Sequence, residues 1–278
     1  MSKNISRKYE QFLRLHEDLF VIANPWNAGS ARILTTLGYK ALATTSAGYA
    51  FSAGKRDSFG AISRTEALKN ASEIVQATKL PVSADLENGF GHSPETCATT
   101  ITMAAQTGLV GGSIEDATGD ASAPIYDFQQ AVERVFAASE AAKDLPFVLT
   151  ARSENYLHGV VDLDDTIKRL KAFEEAGADV LFAPGLPDID AITEVCNALN
   201  KPVNVVAGLS GPNISVEQLR LAGVKRISVG GSFARAALGE FERAAKEVLE
   251  QGTFSYARQA MPDAVASAYM TEKKTDEN

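Results

Sequence analysis

Apolar and β-branched residues gather in eight short runs along the chain, at positions 20–23, 41–46, 82–86, 110–114, 147–151, 180–183, 203–207 and 227–229. Several are nearly continuous, as in VLTA at 148–151 and VNVVA at 203–207. A strand with one wet face alternates apolar and polar residues, whereas a parallel strand covered on both faces does not, so these runs predict a buried parallel sheet. Between them the spacing becomes helical. After Asp162, residues Leu163, Ile167, Leu170 and Phe173 fall on one face, and Gly177 stands where the helix would stop. Ser63 with Glu66, and Ser215 with Gln218, have capping-box spacing, in which each side chain satisfies the other residue's free amide. Ser93 followed by Pro94 reads as N-cap and first helical residue.

Eight strand-plus-helix units in series, with no linker-like stretch between positions 20 and 249, predict an α/β fold. A closed (β/α)8 barrel of the TIM type accounts for them better than an open doubly wound sheet. The 278 residues suit a single domain, 1–278, because such a barrel uses roughly 200–250 residues. The rest forms a C-terminal helical extension over about 233–270, opening with an eighth helix whose stripe is Phe233, Ala237, Phe241, Ala244, Ala245 and Leu249. The following QAMPDAVASAYM at 259–270 is too apolar for a free tail and is expected to pack on a neighbouring subunit, whereas the final TEKKTDEN reads as solvated.

Charge and cysteines narrow the setting. Lys plus Arg number 27 against 35 Asp plus Glu, a net charge of −8, which disfavours nucleic acid as a partner. No leader-like or bilayer-length apolar segment is present, so no membrane association is expected. Cys97 and Cys196 lack zinc-site spacing, and a reduced cytoplasmic location fits them best.

Reactive groups of a (β/α)8 barrel sit at the C-terminal ends of its strands. Here the second to fifth strands end in TTSAGYA, DLENGFG, SIEDATGD and TARSENY, while the last three end in apolar, glycine or proline residues. Asp85 and Glu87, two apart, are expected on one strand face, meeting Glu115 or Asp116 from the next strand end. Three converging carboxylates need protons or a cation, and an all-oxygen set completed by water suits Mg²⁺, or Mn²⁺, better than zinc. The other reading of these acids is a structural network with Arg152. Arg152 can hold a substrate carboxylate or phosphonate bidentately or serve as the counterion of Glu115. The turn formed by Ser46, Ala47 and Gly48 offers amides and a hydroxyl to a carboxylate, and Asp57 lies in a glycine-flanked loop. Segment 116–126 (DATGDASAPIY) is long enough to be a lid. His16, His92 and His158 show no ligand spacing.

S-A-G at 46–48, D-L-E-N-G-F-G at 85–91, S-I-E-D at 113–116 and T-A-R-S-E at 150–154, in that order, resemble the isocitrate lyase / phosphoenolpyruvate mutase superfamily over about residues 24–249. The resemblance implies a Mg²⁺-dependent barrel that makes or breaks C–C or P–C bonds beside a 2-oxo acid through a metal-stabilised enolate. It also implies a homotetramer, or dimer, that swaps the eighth helix between subunits. Carried over by motif, Asp85 stands nearest the metal, with Glu87 and Glu115 holding its waters and Asp57 reaching in. Ser46, Ala47 and Gly48 bind the 2-oxo acid carboxylate, and Arg152 orients the substrate.

The chain also departs from the family pattern. The Lys-[Lys/Arg]-Cys-Gly-His loop of isocitrate and methylisocitrate lyases is replaced by DATGDASAP at 116–124, so no catalytic cysteine stands there. The glutamate those lyases carry at the end of strand six is absent from FAPG at 182–185, and Glu87 is one methylene longer than the usual aspartate. The lysine and asparagine of the phosphonopyruvate mutase lid are missing as well. The resulting expectation is a Mg²⁺-dependent lyase for a small 2-oxo or 2-hydroxy di- or tricarboxylate, with water, Tyr49 or Asp120 as proton donor. The alternatives are P–C chemistry on phosphonopyruvate, as a mutase or hydrolase, and a binding protein without turnover.

Overall fold

The computed structural model describes residues 3–209 and 213–271, so the end of the polar tail, 272–278, lies outside the described residues. Eight strands appear where the apolar runs place them: β1 (Phe20–Ile22), β2 (Leu42–Ala43), β3 (Val82–Asp85), β4 (Gly111–Glu115), β5 (Val148–Arg152), β6 (Val180–Phe182), β7 (Val203–Val206) and β8 (Arg226–Ser228). All pair in parallel in the order β1-β8-β7-β6-β5-β4-β3-β2. A bridge between Ala23 and Leu42, with the Ala43 amide donating to the Ala23 carbonyl at 2.9 Å, joins the two ends of the sheet. The fold is a TIM-type (β/α)8 barrel.

The helices are α1 (Lys3–Leu15), α2 (Ala28–Thr36), α3 (Ser46–Ser52), α4 (Arg64–Gln76), α5 (Pro94–Gln106), α6 (Phe128–Ala142), α7 (Leu163–Glu175), α8 (Ile189–Ala198), α9 (Val216–Leu221), α10 (Ser232–Gln251) and α11 (Asp263–Met270). Both expected capping boxes form, Ser63 caps α4 and Ser215 caps α9, and Ser93 caps α5 ahead of Pro94. The apolar faces of α2 and α4 to α9 pack on the outside of the strands in one continuous core. A second, smaller core closes the barrel floor, where α1 sets Phe12 against Phe20, Ile22, Val148 and Val180. Gly111 is the residue that admits Phe12: a Cβ there would sit 2.9 Å from the Val148 carbonyl and 3.0 Å from the Phe12 ring.

Above this floor the barrel interior is polar. The buried Arg226 guanidinium donates to Asn204 Oδ1 (2.8 Å) and Thr150 Oγ1 (2.9 Å) and lies 3.4 Å from His16 Nε2. Burial, with Arg226 adding to it, lowers the His16 pKa to about 3, so this ring is a neutral acceptor. Helix α11 lies on α2 of its own chain, with Arg32 donating to the Met270 carbonyl at 2.9 Å, and none of its residues is buried by that contact. Helix α10 forms as expected, yet Ala234 is its one buried residue.

Candidate active site

The catalytic face is built where β2 to β5 end. Asp85, the last residue of β3, accepts from the Ser46 hydroxyl (2.7 Å) and amide (3.3 Å) through one oxygen. Its other oxygen takes the Glu87 amide (3.3 Å) and Arg152 Nη1 (3.4 Å). Parallel register sets Glu115 directly beside Arg152, and the same Nη1 lies 3.4 Å from the Glu115 carboxylate. Arg152 also grips Glu154, at 2.7 Å through Nη2 and 2.9 Å through Nε, while its guanidinium lies 4.8 Å from the centre of the Phe182 ring. Asp57 enters from the loop between α3 and α4 and lines the same cavity as Ser46, Asp85 and Arg152, a space of about 610 Å³.

One guanidinium thus faces more carboxylates than it can neutralise. Burial raises the Glu115 pKa well above the usual carboxylate range against the pull of Arg152, with Glu154, Asp85 and Glu87 adding to the rise. Glu87 is pushed up to about 8 by burial and by the charges of Asp85 and Asp57, with Arg152 opposing. Asp57 is raised by burial and then by Asp85. Burial works against the Arg152 cation, but Glu154, Glu115 and Asp85 outweigh it and hold it protonated. A surplus of oxygen donors with suppressed ionisation is relieved by protons or by a bound cation. Among the described residues no group of three or more His, Cys, Asp or Glu side chains is placed to hold a metal ion directly.

Several expected placements change. Glu87 does not share a strand face with Asp85: β3 ends at Asp85, and Glu87 sits beyond it with φ 49°, in left-handed backbone where strand alternation no longer applies. Asp116 turns away from the site, accepting from the Glu154 amide (2.8 Å) and Arg169 (3.2 Å), so Glu115 alone comes from β4. Ser46, Ala47 and Gly48 are the first turn of α3 rather than an open turn. Gly48 does not line the cavity: its amide donates to the Thr45 hydroxyl at 3.2 Å, and a Cβ on it would meet Thr45 at 2.7 Å. Asp120 accepts from the Ser122 amide and hydroxyl (2.8 and 2.7 Å), bonds that lower its pKa and unfit it as a proton donor at neutral pH. Tyr49 is not among the cavity-lining residues.

Segment 116–126 folds as a small hairpin, with the Thr118 amide on the Pro124 carbonyl at 2.9 Å. Phe59, from the Asp57 loop, lies on it at Gly119, where φ is 81° and a Cβ would fall 2.1 Å from the ring. The two loops over the site are therefore packed together.

Two contributors, Asn24 and Arg134, escaped the sequence reading, and a third, Glu154, entered it only as a motif residue with no role. Glu154 stands two residues after Arg152, the spacing that drew notice for Asp85 and Glu87. Asn24 fastens three strand ends, donating to the Thr44 carbonyl (2.9 Å) and accepting the Val229 and Gly230 amides (2.9 and 3.0 Å). Arg134, buried on the inner face of α6, donates to the Asn88, Gly91 and His92 carbonyls and covers the Tyr126 ring at 4.2 Å. A charged residue inside an apolar helical stripe was its one signal.

The family profile described as phosphoenolpyruvate phosphomutase matches residues 12–249. A solved structure from Burkholderia cenocepacia J2315, named only as a lyase/mutase, is 54% identical, superimposes with a TM-score of 0.94, and is matched over 97% of this chain and 98% of its own. The 2-methylisocitrate lyase of Escherichia coli K12 is 27% identical over 75% of this chain and 72% of its own length. An oxaloacetate decarboxylase of Pseudomonas entomophila is 28% identical over 76% and 73%.

Proposed function

Because this chain belongs to the phosphoenolpyruvate mutase / isocitrate lyase superfamily, we propose that it is a Mg²⁺-dependent lyase that cleaves a carbon–carbon bond beside a 2-oxo acid. The observation that carries this reading is the surplus of buried carboxylates around Arg152 at the ends of β3, β4 and β5. Asp85 would be the direct ligand, with Glu87, Glu115 and Asp57 holding the ion's waters. When bound, the ion supplies Lewis-acid stabilisation of negative charge growing on the substrate's oxygens. Ser46 and Ala47 receive the substrate carboxylate, and Arg152, fixed by Glu154, orients it. From a 2-oxo diacid such as oxaloacetate, the bond from C3 to the C4 carboxylate breaks, C4 leaves as CO₂, and the electron pair passes to the C2 oxygen as an enolate. C3 then takes a proton from water, since Asp120 is tied to Ser122 and no cysteine stands on the lid.

A second reading, cleavage of a P–C bond in phosphonopyruvate, is favoured by the family profile's own description. One screen separates the two. Purified protein with Mg²⁺ is offered isocitrate, 2-methylisocitrate, oxaloacetate and phosphonopyruvate, with pyruvate and glyoxylate detected. EDTA and Asp85→Ala serve as controls. Turnover of a carbon acid, lost in both controls, is the expected result, and turnover of phosphonopyruvate alone would replace the first reading by the second. Turnover that survives Asp85→Ala would contradict both.

A further inference from the structure

The half of the cavity opposite the carboxylates is made by the ends of β6, β7 and β8 and the loops after them. Leu157, Phe182, Pro184, Leu186, Val206 and Ile214 line it. The wall is continuous, because the β6 loop packs on the turn after β5: a Cβ on Gly185 would stand 3.0 Å from Leu157. No charged residue occurs anywhere in 180–187, 203–216 or 227–234. Among the described residues, the cavity's ionisable lining is confined to Asp57, Asp85, Arg152 and Arg226. Arg152 is shared among Asp85, Glu115 and Glu154, and Arg226, the first residue of β8, lies deep in the barrel hydrogen-bonded to Asn204 and Thr150, away from this wall.

A second carboxylate reaching this wall would be desolvated with no charged partner, only neutral groups such as Asn213, which is costly, whereas a hydrocarbon group would gain from leaving water. We propose that the substrate's group distal to the metal carboxylates is an uncharged, apolar substituent, bound by Leu157, Phe182, Leu186, Val206 and Ile214. This rests on the 2-oxo-acid reading above and narrows it: the preferred substrates carry an alkyl branch where a tricarboxylate would carry another anion. Phe182, Leu186 and Ile214 are the specificity-determining residues.

Binding measurements separate failure of this proposal from failure of the reading beneath it. Calorimetric titration of the wild-type protein with Mg²⁺ present uses pyruvate, 2-oxobutanoate, 2-oxopentanoate, 2-oxohexanoate and 2-oxoglutarate as probes. Affinity is expected to rise about fourfold per methylene, and 2-oxoglutarate is expected to bind at least about tenfold more weakly than 2-oxopentanoate. In Leu186→Arg, and independently in Ile214→Arg, the order of these last two reverses. If pyruvate binds but chain length brings no gain, or 2-oxoglutarate matches 2-oxopentanoate in the wild type, the proposal is overturned and Arg226 becomes the counterion to examine. If no probe binds with Mg²⁺, the 2-oxo-acid reading itself falls and takes this one with it.

Discussion

Arg152 couples the charges of the site, touching Asp85, Glu115 and Glu154 at once, so the state of each acid depends on the others. Glu87 shows the consequence for stability. Its pKa is raised from 4.5 to about 8, so between those values the folded chain keeps a proton that the unfolded chain releases. Stability of the metal-free protein therefore falls as pH rises through that window. A bound cation favours the ionised acids and reverses the effect. Thermal melting in EDTA should show a Tm that declines from pH 5 to pH 8, with Mg²⁺ raising Tm more at pH 8 than at pH 5. Glu87→Gln should flatten the decline, and a metal-independent profile would count against the cation site.

At the scale of elements, the loop from β3 to α5 carries Glu87 and has two non-glycine residues in left-handed backbone, Glu87 and Phe90. Such conformations persist only where the surroundings enforce them. Arg134 does so from α6 by taking the Asn88, Gly91 and His92 carbonyls. Arg134→Met should loosen this loop and lower Mg²⁺ affinity about 10–100-fold without touching the site, as loss of outer-shell support does elsewhere. Titration of Mg²⁺ followed by intrinsic fluorescence would read it, and unchanged affinity in a folded variant would refute the role.

These elements also mark what the sequence could and could not reveal. The strands were legible because burial on both faces writes itself as unbroken apolar runs. Asp85, Glu115 and Arg152 were legible because a barrel fixes its reactive positions at strand ends. Glu87 was misplaced because the alternation rule ends with the strand, two residues after which the backbone turns left-handed. The split between Glu115 and Asp116 depends on Arg169, more than fifty positions away, and no local pattern carries that pairing.

For the whole molecule, α10 is the element out of balance. It spans twenty residues, yet Phe241 is 72% and Leu249 86% exposed, and Leu238 and Val248 lie open as well. An apolar stripe of that length marks an interface. A dimer or tetramer formed through α10 is the expected state, with the helix laid on a neighbouring barrel. Sedimentation at micromolar concentration should find it, and Phe241→Glu should shift it toward smaller species. A wild-type monomer under those conditions would contradict the expectation. Among the described residues no helix is long and apolar enough to cross a membrane, so burial in a bilayer by such a helix does not explain the stripe.

Stabilisation of a 2-oxo acid's enolate at this site with the help of a divalent ion can be tested without knowing the substrate. Pyruvate in D₂O, followed by proton NMR with enzyme and Mg²⁺, reports how fast the C3 protons are replaced by deuterium. Exchange well above the rate with Mg²⁺ alone, abolished by EDTA and by Asp85→Ala, is the predicted result. If pyruvate and Mg²⁺ bind together and the methyl protons stay at the background rate, the site holds a 2-oxo acid without activating it, and the lyase reading is wrong.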